Sequence, residues 1–260
     1  MPLFLYIDRP TALHRLHPVI KLVTMLGLFL SAYLGQNPVV LLPLVAVVIG
    51  LLLWARALPN VYRLRVLLAL VFVMTFIVWS LFYPTDQPWV AFGPLAISSI
   101  GIHFALGMAM KLTTFLAIGI VLLSTTKIEE FAYALTRVGM PYKLGFAMTL
   151  AFRLVPVFLD AAVSVVQAQQ CRGFNFNEGS LWQRARRYVP VIVPVFMTAL
   201  RRADGMAMAL EARGFQSGRR RTVYDRYTLG VSDTVALLLV LGMVGLSILL
   251  WYRGYAAVSG

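Results

Sequence analysis

The sequence predicts an all-α, polytopic membrane protein, with about five transmembrane helices and two further long helices that cross each other on the cytoplasmic side. Three observations carry this. Of 260 residues, 60% are hydrophobic and only 13% charged, with a mean hydropathy of +0.81; a soluble domain of that size is about half apolar and roughly a quarter charged. The apolar residues gather into long unbroken runs. The lysines and arginines gather in alternate loops, the pattern of a chain that crosses a bilayer repeatedly and keeps its basic loops inside.

The runs read as spans are Leu22 to Leu34, Val39 to Trp54, Val66 to Phe82, Ile102 to Leu123 and Val235 to Trp251. Several fall short of the ~20 residues of a full crossing, so flanking residues must extend them. Arg9, Arg15 and Lys21 precede the first, and Arg56, Arg63 and Arg65 lie between the second and third. Gly35 to Pro38 and Tyr83 to Gly101 carry no lysine or arginine. The alternation puts the N-terminus in the cytoplasm. Met1 to Pro10 lacks the charged start, apolar core and small-residue site of a signal peptide. In the outer loop, Tyr83, Trp89 and Phe92 with Pro84, Pro88 and Pro94 suit an ordered segment at the aromatic belt.

Past the fourth span the composition changes. Lys127 to Arg226 holds most of the 23 lysines and arginines, still mixed with apolar stretches. Ile128 to Val138 reads as a short amphipathic helix, capped by Thr125-Thr126, with Glu129 and Glu130 in its first turn. Gly139-Met140-Pro141 ends it. Tyr142 to Cys171 and Leu181 to Arg213 read as two long helices around the polar turn Asn175 to Gly179, and Gly218 to Tyr227 as a basic linker. The chain thus divides into residues 1–124, N-terminal transmembrane helices; 125–228, a cytoplasmic helical region; and 229–260, a C-terminal transmembrane helix.

The two long segments are apolar enough to be taken for spans. Arg153, Asp160, Arg201, Arg202 and Asp204 would then sit near mid-bilayer, at about 2.5–3.5 kcal/mol each, and both flanks of each segment are basic. They are therefore placed at or below the cytoplasmic interface, with apolar faces against the spans or another protein. Ala161, Ala162 and Ala168 on one, and Ala199, Ala203, Gly205, Ala207 and Ala209 on the other, permit a close crossing.

These helices repeat a pattern. Pro156-Val157-Phe158 leads to Gln170-Cys171-Arg172-Gly173-Phe174, and Pro194-Val195-Phe196 leads to Glu211-Ala212-Arg213-Gly214-Phe215. Each arm reads as a helix with a proline near its start, an arginine in its last turn and a glycine at its stop, and the arms differ in length by about one helical turn. A single arginine-glycine end has a plain reading, a cation complementing the helix dipole. Two copies sharing both ends of the pattern suggest two equivalent docking points, and a partner with two equivalent surfaces.

At these residues the chain resembles the transmembrane T component of energy-coupling factor (ECF) transporters, a branch of the ATP-binding cassette importers. The resemblance covers most of the chain. It rests on His14-Arg15-Leu16-His17-Pro18 with Lys21, on Thr125-Thr126 with Ile128-Glu129, on Phe152-Arg153-Leu154-Val155-Pro156, and above all on the two arginine-glycine ends. These are similar to the family's paired Ala-Arg-Gly signatures: Ala212-Arg213-Gly214 matches fully, and Cys171 replaces the alanine of the first. The resemblance implies that the long helices are coupling helices. It implies that Gln170, Cys171, Arg172 and Gly173 and, equally, Glu211, Ala212, Arg213 and Gly214 dock on two cytoplasmic ABC-type ATPases, with Arg153, Pro156 and Pro194 as helix-start and scaffold residues. It implies a third partner, a small membrane-embedded substrate-binding S component, and a vitamin or transition-metal ion as cargo. The chain would then be a non-catalytic subunit of a prokaryotic plasma-membrane transporter, with no cofactor of its own and ATP bound by the partner ATPases.

The residues themselves bound the other classes. No Gly-Lys pair occurs in the chain, so a Walker-type phosphate loop is missing and ATP chemistry must come from another chain. The net charge of +13 fits positive-inside topology and anionic lipid rather than nucleic acid, which would need a basic soluble face. One cysteine, Cys171, excludes an intramolecular disulfide, and His14 and His17 have no third ligand nearby, so no metal site is expected. Lys111, within the fourth span, and His103 are the ionisable groups at membrane depth; an ion pathway is one reading, packing or a partner contact the other. A self-contained secondary transporter would need a repeat of spans with broken helices, and a membrane enzyme a cluster of acids, bases or ligands. The repeat is confined to the two long helices, and the ten acidic residues are scattered.

Overall fold

The computed structural model describes residues 11–83, 90–92, 95–176, 180–215 and 230–254. Residues 1–10, 84–89 and 93–94 of the loop between the third and fourth predicted spans, 177–179 of the polar turn and the linker Gly218 to Tyr227 lie outside the described residues. The chain divides into two compact units, residues 1–140 with 227–260, and residues 141–226.

The first unit is a helical membrane bundle. After the short α1 (Ala12–Arg15) come α2 (Pro18–Leu34) and α3 (Pro38–Trp54). Both begin with proline at the first turn behind a side-chain cap: the His17 ring nitrogen accepts the Val19 N–H at 3.2 Å, and Asn37 Oδ1 the Val39 N–H at 3.0 Å. Proline fits there because its missing N–H would be unbonded anyway. Then follow α4 (Leu58–Arg63), α5 (Arg65–Phe82), strands β1 (Val90–Phe92) and β2 (Leu95–Ile97), α6 (Ser99–Thr125), α7 (Ile128–Val138) and, at the end of the chain, α11 (Val231–Tyr252). The five predicted spans are α2, α3, α5, α6 and α11. By length and composition α5, α6 and α11 can each cross a membrane, while α2 and α3, at 17 residues, are slightly short. The strands are an addition to the all-α expectation: they pair antiparallel in the loop between α5 and α6, Val90 opposite Ile97.

α6 packs against α2, α3, α4 and α5, and α2 also packs against α7 and α11. Leu28, Ala32, Leu41, Leu44, Val48, Leu52, Ile118 and Val240 form the buried core. Two approaches need glycine. A Cβ on Gly107 would overlap the Gln36 carbonyl oxygen, and one on Gly27 would overlap Val240 Cγ1. The first seats the α2–α3 turn on α6, and the second seats α11 on α2.

Lys111 donates to the Tyr33 carbonyl, in the last turn of α2, and lies 4.9 Å from the centre of the Tyr33 ring. The last carbonyls of a helix lack intrahelical donors and carry its negative dipole end. The packing reading of Lys111 therefore has a specific form: its ammonium caps α2. At the start of α7 the expected Thr125-Thr126 cap is not made. Lys127 holds the cap position, and its side chain does not cap the helix. Thr125 instead ends α6, its hydroxyl donating back to the Val121 carbonyl at 2.8 Å.

The second unit holds α8 (Tyr142–Cys171), α9 (Leu181–Arg187) and α10 (Val189–Ala212). α8 has the predicted bounds, and it is also apolar and long enough to count as a possible span. The single helix expected over Leu181 to Arg213 is interrupted at Tyr188, because Pro190 in the first turn of α10 has no N–H to continue the ladder. Pro156 and Pro194 are not helix starts. Both lie inside their helices, where each lacks the N–H of one main-chain bond. The prolines at the starts are Pro141, the residue capping α8, and Pro190. Gly205 has open space around it rather than a close neighbour, so it is not where α8 and α10 meet.

Candidate functional site: two matched helix ends

Arg172 caps the C-terminus of α8 with φ −84° and ψ 8°, and Arg213 caps α10 with φ −84° and ψ 4°. The next residue in each case is a glycine in the left-handed region, Gly173 at φ 85° and Gly214 at φ 70°. Beyond it a phenylalanine N–H reaches back five residues, Phe174 to the Gln169 carbonyl and Phe215 to the Leu210 carbonyl, both at 3.0 Å. The glycine N–H groups close the inner ring, Gly173 to Gln170 at 2.9 Å and Gly214 to Glu211 at 2.8 Å. Both ends are thus complete Schellman motifs. Arg-Gly-Phe is the local code for them: only glycine takes the left-handed position cheaply, and the phenylalanine that follows folds back toward the helix.

This geometry pays out orphan carbonyls that would otherwise need water or a partner, and it leaves the arginines free to act elsewhere. Both guanidinium groups are exposed and make no hydrogen bond or ion pair among the described residues. Cys171 and Ala212, and Gln170's counterpart Glu211, occupy equivalent positions in the last turns, and the cysteine thiol is exposed. Each arginine is a planar donor fork at the negative end of a helix dipole, suited to a carboxylate or several carbonyls of another molecule.

The two ends are held apart. Phe215 packs on Phe146, in the second turn of α8, with ring centroids 4.6 Å apart. At the other end Phe176, buried between Phe174 and Tyr188, has ring centroids 5.1 and 5.0 Å from theirs, and Arg187 donates to the Asn175 carbonyl at 2.7 Å. The end of α10 therefore lies by the start of α8, and the start of α10 by the end of α8: an antiparallel pair. From Phe146 to Arg172 the rise of an α-helix gives roughly 35–40 Å between the two arginine ends. Arg153 and Pro156 sit in the middle of α8, away from both ends, and Pro194 sits in the second turn of α10, remote from Arg213; Arg153 is exposed.

Apolar side chains remain exposed on this unit, among them Leu159 and Val163 on α8 and Ile192, Val193, Phe196 and Leu200 on α10. A stripe of that kind marks a surface that meets lipid or another protein. Phe146 and the folding-back role of Phe174 and Phe215 were not among the site residues expected from sequence, although the repeated Arg-Gly-Phe tripeptide carried the signal for the last two.

Fold and site together define a multi-pass membrane protein with a paired-helix unit bearing two like arginine-glycine ends. The chain belongs to the CbiQ family, described as cobalt transport protein, whose model matches residues 10–224. It is similar to the energy-coupling factor transporter transmembrane protein EcfT of Bacillus selenitireducens, 30% identical over 241 residues, covering 89% of this chain and 90% of that protein. It is similar to the EcfT of Limosilactobacillus fermentum, 31% identical over 245 residues, covering 90% and 91%. A third relative, an ABC transporter ATP-binding protein of Bifidobacterium longum, is 31% identical over 238 residues, which are 86% of this chain and 30% of that protein.

Proposed function

We propose that this chain is the T component of an ECF-type importer: a non-catalytic scaffold that couples two cytoplasmic ABC-type ATPases to a small membrane-embedded S component. The cargo is a vitamin or a transition-metal ion held by the S component, ATP is bound by the ATPases, and the N-terminus and the paired-helix unit face the cytoplasm of a prokaryotic cell. The observation that carries this reading is the duplication of one helix-end geometry, with a free arginine on each copy and the copies set apart. Two like ends suit two like partner subunits.

Three further observations support it. EcfT relatives match nearly the whole chain. The Bifidobacterium longum relative is named an ATP-binding protein and extends well beyond the matched region, which fits a scaffold that works with an ATPase. The exposed apolar residues of α8 and α10 supply a surface for the S component.

The mechanism follows from the residues. Arg172 and Arg213 each enter an acidic or carbonyl-lined groove on one ATPase, while the Schellman backbone holds each arginine at a fixed angle to its helix. When the ATPases close on ATP and reopen, the two ends are displaced relative to each other. The antiparallel pair turns that displacement into a motion of its apolar face, against which the S component reorients and releases its cargo.

The test is Arg172→Ala, Arg213→Ala and the double variant, scored for ATPase co-purification and cargo uptake at matched protein level. Truncating a charge buried in an interface costs about 2–5 kcal/mol, so each single variant should weaken assembly and the double should abolish it. Exposed helix-end cations without a partner would contribute at most ~1 kcal/mol of local stability, and wild-type assembly and uptake in the double variant would overturn the proposal.

A further inference from the structure

Two stretches far apart in the sequence, the one ending at Lys21 and the one from Thr125 to Glu130, meet at a single ammonium group. Lys21 Nζ donates to the His14 carbonyl at 2.9 Å, the Thr125 carbonyl at 3.0 Å and Glu130 Oε2 at 2.8 Å. An ammonium has three N–H donors, and all three are used. Each acceptor lies on a different element. His14 is in α1 and Thr125 is the last residue of α6, so their carbonyls belong to the negative ends of two helices. Glu130 is in the first turn of α7, at its positive end. Lys21 itself is in the first turn of α2 and only 6% exposed. A buried cation is tolerated here because two helix ends and a carboxylate replace its water.

A second tie lies alongside. Asp233, buried in the first turn of α11, accepts the His17 N–H at 2.7 Å with one oxygen and the Gly230 N–H at 2.8 Å with the other. His17 also stands 6.2 Å, ring to ring, from Tyr133 of α7. The starts of α2, α7 and α11 and the end of α6 are therefore gathered at one junction.

α7 is the last element of the membrane unit before the chain passes through Gly139 and Met140 into α8. It has no side-chain cap at its N-terminus. The Lys21–Glu130 pair ties that end to the start of α2, beside the His17–Tyr133 ring contact and with Ala132 and Ala134 buried below it. We infer that Lys21 is a positioning residue for coupling, and that Glu130 is its hold on α7, so that movement of α8 reaches the membrane bundle through this ion pair. The inference rests on the coupling role proposed above. Its physical content is stiffness. With the pair intact, displacement at the start of α8 moves α7 and the bundle together; with it broken, α7 yields first.

The experiment uses the complete complex from the native host in proteoliposomes, with Lys21→Met and Glu130→Gln. Glu130→Gln keeps the shape and an acceptor oxygen while removing the charge, so it tests the pair even where Lys21→Met fails to assemble. ATP hydrolysis is measured beside uptake of cobalt ion, biotin and riboflavin, using whichever the wild-type complex accumulates. The expected result is full subunit composition, ATP hydrolysis within about twofold of wild type and at least a fivefold drop in cargo moved per ATP, larger for Lys21→Met. An unchanged ratio of cargo to ATP in assembled variants would overturn the inference, as would a parallel loss of assembly, hydrolysis and uptake in Glu130→Gln, which marks a structural role alone. The Arg172→Ala/Arg213→Ala variant runs in the same assay. Normal assembly and uptake there refutes the coupling role itself, whereas loss there with an unchanged ratio in the Lys21 and Glu130 variants refutes only the role of the ion pair.

Discussion

Phe215 rests against Phe146 with ring centroids 4.6 Å apart, and with the Phe176–Tyr188 contact at the other end it sets the direction of α10 relative to α8. Because Phe215 directly follows the Arg213-Gly214 end, it sets that end beside the start of α8 and a helix length away from Arg172. Spin labels at Cys171 and at Ala212→Cys should report a mean separation of roughly 35–40 Å by pulsed electron resonance. A separation near 20 Å would mean that the two ends lie side by side and that the antiparallel arrangement is wrong.

The glycines of the two ends should rank substitutions by backbone strain rather than by space. A Cβ at Gly173 meets nothing within 4 Å, yet φ is 85° there and 70° at Gly214. Alanine at either position costs about 1–2 kcal/mol for the left-handed conformation, and asparagine less, since it tolerates that region. ATPase co-purification should fall about tenfold with Gly173→Ala or Gly214→Ala, and remain near wild type with Asn. Equal effects of Ala and Asn would show that backbone geometry does not set the docking end.

Gly107 and Gly119 lie on the same helix and predict opposite outcomes. A Cβ on Gly107 would overlap the Gln36 carbonyl, while one on Gly119 has no neighbour within 4 Å. Gly107→Ala should destabilise the bundle by about 1–3 kcal/mol through forced separation of α6 from the α2–α3 turn. Gly119→Ala should be neutral or raise stability by up to ~1 kcal/mol through helix propensity. Thermal unfolding in detergent reads both, and a stable Gly107→Ala protein would contradict the close approach.

Orientation is tested by labelling in a Cys171→Ser background. With the N-terminus inside, Asp86→Cys should react with a membrane-impermeant maleimide on intact cells, and Glu178→Cys only after permeabilisation. External reaction at residue 178 would reverse the placement of the paired helices.

Much of this architecture is legible in the sequence because membrane helices announce themselves by composition. All five runs read as spans are helices, though α2 and α3 are short for a crossing and α8 is long enough for one, and Ile128–Val138 and Tyr142–Cys171 begin and end as read. Capping chemistry is local, so the two arginine-glycine stops are legible as well. Proline was harder to place. Pro156 and Pro194 read as starts because proline favours first turns, but long apolar helices with neighbours can absorb an internal proline; Pro141 reads as the stop of the preceding helix rather than the cap of α8, and Pro190 has no separate signal beside Pro194. Thr125 read as a cap for α7, but its hydroxyl turns back into α6 instead. The meeting of Lys21 with Thr125 and Glu130 had no signal in periodicity or composition. It depends on which helix ends the bundle brings together, and that is decided by packing across the fold.

A single asymmetric polypeptide here presents two nearly superimposable handles, the same three-residue backbone figure carried by helices of different length and sequence. The same arginine-glycine stop recurs on α11, where Arg253 is the cap and Gly254 has φ 78°, so the stop alone does not make a docking end; on the proposed reading it is the pairing of two such ends on α8 and α10 that joins a motor of two ATPases to one membrane bundle. The handles agree in shape but not in charge, since Glu211 stands where the other has Gln170. If the motor is built from two identical subunits, that single charge is a small bias; if from two different ones, it is a ready means for each subunit to find its own end, and exchanging the two residues should then turn the motor around.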